Sequence, residues 1–407
     1  MALGALLALG APAVAEADRN TVVVKTVKVG SPGNPSVGII PFTDAVYESC
    51  LDVPENSGEC YTVGGVGYRY RIGRFEVTVK QWVKFLNRVD PSGRDPHNLY
   101  DPSEDSAAWP KYGEVDFSPG ARAGRHYSVA YPQWANKPFG FATFLRAARF
   151  VNSLFNGSVR SRKAIYVPPD DLLVVAYKVR LSRQTERGMY DLRRNKREGP
   201  TRAARSGFVI PSQDEWIKAA YYDPGGSGTY SYWKYPTNPG VFGDDTATAP
   251  TPSALDADSG DVVNAAIQPL ATYYGSGFPA PSWCPPQEGS ERCNSVNPFG
   301  IPASVYPELY QGSLATVGAA KTASPWDTLD QAGNVVEWTD TITPPPAGKS
   351  GKRVWRRLHG GVSNAPAYQL WLSAIGLQPQ KNTAFSLTYP WLGFRVGAIG
   401  KVPVDKP

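Results

Sequence analysis

Histidine and methionine are nearly missing from this 407-residue chain, which carries three of the first and two of the second. His97, His126 and His359 stand far apart with no H-x-x-x-H spacing, so a histidine-built transition-metal centre has no local frame. Soft metals fare no better, because Met189 is the one methionine beyond Met1 and cysteine occurs only four times. No apolar stretch is long enough to span a bilayer. The chain also lacks a G-x-S-x-G elbow, a G-x-x-x-x-G-K-[ST] phosphate loop and an H-E-x-x-H helix, which removes the best-marked hydrolase, nucleotide and metalloprotease chemistries. No fixed-period repeat and no Ser/Gly or charged linker divides it, so we expect one elaborated domain over residues 21–400.

Glycine and proline are abundant, at 40 and 38, alongside 42% hydrophobic residues, which together imply a sizeable core wrapped in irregular structure. The net charge of +6 is mild for the length and calls for neither nucleic acid nor a membrane surface. The charge gathers between Arg183 and Arg205, with Arg187, Arg193, Arg194, Lys196, Arg197 and Arg202, either a solvated loop or a docking face for an acidic partner. Residues 1–15 form an apolar run ending in Ala13-Val14-Ala15, the small-x-small form of a signal-peptidase site, so export is expected. In an exported chain the cysteines read as two short disulfide loops, Cys50 with Cys60 and Cys284 with Cys293, whose spacings are too wide for zinc knuckles.

Residues 21–29, TVVVKTVKV, alternate as an amphipathic strand, and YRYRIGRFEV at 68–77 reads as another. Thr78 is placed to cap a helix VKQWVKFLNRV with an apolar stripe of Val79, Trp82, Val83, Phe85 and Leu86. A second helix is expected over Thr143–Phe155, stopped by Asn156-Gly157, and a third after Ser212, where Ser212 and Glu215 have capping-box spacing. Tyr221, Tyr222, Tyr230, Tyr232, Trp233 and Tyr235 crowd one polar stretch, as a carbohydrate or peptide platform or as filling for a loop-rich core. VWRRLHGG (354–361) and WLGFRVGA (391–398) read as closing strands. The nine residues DQAGNVVEW at 330–338 concentrate side-chain oxygens around a glycine, as a hard cation requires or as an ordinary turn entering a strand would.

In this order, YRIGRFEVT, FVNSLFNG, TERGMYDL, IPSQDEWIKAAYYDP, DQAGNVVEW, LHGG and LGFRVGA resemble the formylglycine-generating enzyme family, also called the sulfatase-modifying factor family. The resemblance implies an α+β fold, a loop-rich variant of the C-type lectin fold with small antiparallel sheets and few helices. It implies calcium at Asp330, Gly333, Val335 and Glu337, and a second calcium beginning at Asn264 and Ala265 whose downstream acid is not recognisable. Val336 stands where the family usually has tryptophan. The family's copper(I) is held by two cysteines with four residues between them after the late G-G; the matching positions here are Ala365 and Leu370. Copper and cysteine-to-formylglycine conversion are therefore not expected. What remains is an exported, calcium-stabilised binding module for a peptide, protein or glycan. The competing readings are an oxidoreductase or other modifying enzyme using His359, which replaces the family's arginine, or Arg395, and a structural cell-envelope protein.

Overall fold

The computed structural model describes residues 19–41, 46–47, 50–52, 59–107, 113–167, 172–193, 199–226, 231–241, 248–256, 261–273, 314–344, 354–363, 367–379 and 391–404. The signal segment, Cys284, Cys293, Tyr230, Ala365 and, from the basic run, Arg194, Lys196 and Arg197 lie outside them. The fold is α+β and loop-rich.

The first strand, β1 (Thr21–Val29), lies inside a six-stranded antiparallel sheet. It pairs on one side with β2 (Tyr70–Gly73), from Thr26 opposite Gly73 to Val29 opposite Tyr70. Its expected amphipathicity is split in two: Val22 and Val24 enter the main core, whereas Val27 and Val29, on the opposite face, enter a smaller one. Such a face exchange follows when different elements cover the two halves of one strand. After β2 the Thr78 hydroxyl accepts from the Gln81 N–H, and the Gln81 side chain accepts from the Thr78 N–H, opening helix α1 (Val79–Val89) with a full capping box. Its Trp82 stacks on Phe139, with ring centroids 4.3 Å apart, beside Phe150 and Phe394. Helix α2 (Phe144–Phe155) begins at a Thr143 cap and ends at Asn156, as its sequence predicts.

No strand is expected from the sequence of the next segment, which forms the longest hairpin among the described residues. Strand β3 (Ser158–Val167) pairs with β4 (Leu172–Arg180), and β4 with β1. β3 is the sheet edge and mostly exposed, so its sequence is polar and lacks a buried face to announce it. The other edge is β5 (Gly207–Val209), followed by the Ser212–Glu215 capping box and helix α3 (Gln213–Tyr221). The motif-bearing C-terminal part makes a second sheet from β6 (Val336–Thr343), β7 (Trp355–His359), β8 (Gly376–Pro379) and the short β9 (Leu392–Gly393). Here the β6–β9 pair is parallel, so this sheet is mixed rather than antiparallel. The chain then returns to the first sheet as β10 (Gly397–Ile399), between β5 and β2. The segment GFRV that joins β9 to β10 thereby stitches the two sheets together.

Candidate functional site

The 330–338 segment is a tight turn running into β6. Asp330, Gly333 and Asn334 all adopt left-handed backbone, with φ of +61°, +84° and +62°. Position 333 must be glycine, since a Cβ there would meet the Thr272 carbonyl oxygen at 1.9 Å. That approach lets Asn334 N–H donate to the Thr272 carbonyl at 2.7 Å and Gly333 N–H to the Gly360 carbonyl at 2.6 Å. The Asn334 side chain accepts from Ala315 N–H and donates to Glu76 Oε1.

From this turn β6 carries Glu337 into the core, opposite His359 of β7. Both its carboxylate oxygens are engaged: Arg395 donates from Nε at 2.7 Å and from Nη2, and Trp216 donates from its indole N–H at 2.8 Å. The Arg395 guanidinium also reaches the carbonyls of Gly73 and Leu329, each at 3.0 Å. One fully buried side chain thus ties the end of β2, the turn before Asp330 and β6. Burial alone would lower the Arg395 pKa, and the Glu337 carboxylate beside it raises it instead.

Two further acids crowd this hub. Asp330 Oδ2 accepts from Gly318 N–H, and burial pushes its pKa up to about 6 despite that bond and Arg395. Glu76, at the end of the RIGRFEVT segment, is buried against Asp330, with which it shares a side-chain hydrogen bond; burial and the Asp330 charge push its carboxyl well above the usual range. Three carboxyl groups therefore face one guanidinium, leaving a surplus of acid that a cation or bound protons must offset. That surplus fits calcium in charge, and Asp330, Glu337 and the carbonyls of Gly333 and Val335 are the oxygens that would hold it. No three His, Cys, Asp or Glu side chains among the described residues are grouped to bind a metal unaided. Glu76 and Trp216 escaped the sequence reading of this site, and the one signal for Glu76 was an acid set between Phe75 and Val77.

The other anticipated site residues fall elsewhere. Asn264 clamps its own loop, accepting from Ala254 N–H at 2.8 Å and donating to the Pro252 carbonyl, and the Ala265 carbonyl accepts from Gln268. His359 lies in the core, its ring stacked on Trp216 at 5.3 Å between centroids, with Nε2 unbonded. Burial, helped by Arg357, lowers its pKa to about 3, so it is neutral. Leu370 is fully buried, and its carbonyl accepts the Tyr221 hydroxyl at 3.0 Å. Of the aromatic crowd, Tyr221, Tyr222, Tyr232 and Tyr235 are buried, Tyr232 donating to the Pro35 carbonyl, and Trp233 is half-buried, its indole donating to Asp223 at 3.2 Å. Arg202, from the basic run, is an internal cross-link, forking onto Glu215 at 2.8 Å and reaching Asp340 at 2.7 Å. Glu215 falls below the usual carboxylate range because the Arg202 bonds outweigh its burial. Cys50 and Cys60 are disulfide-bonded.

A scan against models of protein families finds no match, and no curated protein matches the chain. Among solved structures the chain is similar to Treponema denticola variable protein 1, at 15% identity and a TM-score of 0.41, covering 92% of this chain and 94% of that one. It is also similar to CarF, at 14% identity and a TM-score of 0.36 over 94% and 99% of the two chains. The same holds for PvdO from Pseudomonas aeruginosa, at 14% identity and a TM-score of 0.37 over 93% of each chain.

Proposed function

We propose that this chain is an exported, calcium-stabilised binding module on a formylglycine-generating-enzyme-like scaffold that carries no copper chemistry. The observation behind this reading is Leu370: at the position of one family thiolate stands an aliphatic side chain, fully buried and pinned through its carbonyl by Tyr221. The other position is Ala365, which offers no ligand atom. The modifying-enzyme reading loses its candidates, since His359 is enclosed and Arg395 spends its donors on Glu337 and backbone carbonyls.

An extended peptide is the partner class with an observation behind it. The edge strand β3 leaves Tyr166 66% exposed, directly opposite the exposed Leu173 of β4, as a strand-adding segment would use. Incubating the protein with copper, oxygen and a cysteine-containing peptide is expected to yield no aldehyde above a heat-denatured control; aldehyde that requires the folded protein would refute the reading. For calcium, a chelator is expected to lower the melting temperature of the wild type and not that of Asp330→Asn. Asp330→Asn isolates the cation because it leaves the Glu337–Arg395 pair intact.

A further inference from the structure

Where β2 ends at Gly73, the first half of β1 loses its strand neighbour on that side, and helix α1 runs alongside instead. Its side chains cover the bare edge: Gln81 donates to the Val23 carbonyl at 2.8 Å and the Lys84 ammonium to the Thr21 carbonyl at 2.9 Å. A helix stands farther from a strand than a paired strand does, because its own radius and side chains intervene. The gap left here is a cavity of about 640 Å³, within the range of small-molecule sites.

Its lining divides into two kinds of surface. Inside are Val22, Val24, Val77, Phe150 and Val396, buried members of the main core. Around it stand the ammonium-bearing side chains Lys25, Lys80, Lys84 and Lys178, of which Lys25, Lys80 and Lys178 are exposed and so mark the opening to solvent. Lys25 lies over the Phe75 ring, 5.9 Å from its centroid, which holds one cation at the boundary between the two surfaces. Glu76 is the single acidic residue in the described lining, so four cations outnumber it whether it is ionised or not.

We propose that this cavity binds a small amphipathic anion: an apolar chain or ring seated on the valines and phenylalanines, with a carboxylate- or phosphate-type head among the lysines. This goes beyond the binding-module reading: the lining shares no residue with β3 or the 359–370 segment and meets the acid hub only at Gly73 and Glu76. Electrostatic focusing by cations over low-dielectric walls favours the charged head, and the enclosed apolar surface favours the body.

Three probes with one tail separate charge from apolarity: dodecanoate, dodecanol and dodecyltrimethylammonium, each titrated calorimetrically below its aggregation concentration. The expected order is saturable dodecanoate binding, dodecanol at least tenfold weaker, and no binding of the ammonium. Lys25→Glu with Lys80→Glu is expected to weaken dodecanoate at least tenfold while leaving dodecanol and the melting temperature unchanged, both side chains being exposed. Val317→Trp, on the cavity wall, is expected to abolish binding of both. Equal affinity for dodecanoate and dodecanol, dodecanoate binding indifferent to the charge reversals, retention of binding in Val317→Trp, or no saturable dodecanoate binding would each overturn the proposal.

Discussion

Arg395→Met removes the guanidinium from the hub and leaves the Glu337 carboxylate buried with only the Trp216 indole as donor. Breaking one side of a buried ion pair costs about 3 to 5 kcal/mol, since the remaining charge stays desolvated. The upper end applies here because the Gly73 and Leu329 carbonyls lose their donor as well. At roughly 2 °C per kcal/mol for a chain of this size, the melting temperature should fall by about 10 °C, read by circular dichroism. Adding Glu337→Gln removes the orphaned charge, so the double variant should recover at least about 2 kcal/mol of the loss, a non-additivity expected only for groups in contact. Strictly additive losses, or an Arg395→Met protein as stable as the wild type in excess calcium, would refute the argument, because Glu337 would then be held by the cation and not by the arginine.

Glu114 offers a pH test independent of that hub. It is fully buried with Gly140 N–H as donor, and burial raises its pKa to about 8. A carboxyl whose folded pKa lies above its unfolded value stabilises fully below the unfolded value near 4.5 and loses that contribution as pH rises through about 8. Glu114 should therefore take about 3 to 4 kcal/mol from stability between pH 5 and 8, a component that Glu114→Gln removes in denaturant titrations while the part due to Asp330 and Glu76 remains. Lys137, with its pKa lowered to about 8 by burial, stays charged through most of that window and does not cancel the effect. Opening the Cys50–Cys60 bond, which spans a sequence separation of 10, should cost about 3 kcal/mol in the loop-entropy estimate, measured as the shift in urea midpoint between the wild type and Cys50→Ser/Cys60→Ser. Trp82→Ala should cost about 3 to 5 kcal/mol by the same measurement, since the ring is fully enclosed by Phe139, Phe150 and Phe394.

Local structure was legible in the sequence where its cause is local. Thr78, Thr143 and Ser212 announce three helix starts because a hydroxyl three residues before a free N–H satisfies it whatever the rest of the chain does. The β3–β4 hairpin was not legible, since an exposed edge strand imposes no apolar alternation. At the site, Asp330 to Trp338 stood out by composition, but its chemistry depends on partners 58 residues ahead, at Arg395, and 258 behind Asn334, at Glu76. The Arg395 guanidinium on Glu337 is a partner no spacing rule selects. The lysine-rimmed cavity was likewise invisible, because its lining is gathered from β1, α1, β4 and the 316–317 turn.

The central claim, a family-like scaffold without copper chemistry, is tested most directly by competing the disulfide-intact, calcium-loaded protein against a chromophoric copper(I) chelator. The account predicts that the chelator keeps its copper at every protein concentration. Stoichiometric transfer of one copper(I) to the folded protein, abolished by unfolding, would contradict it.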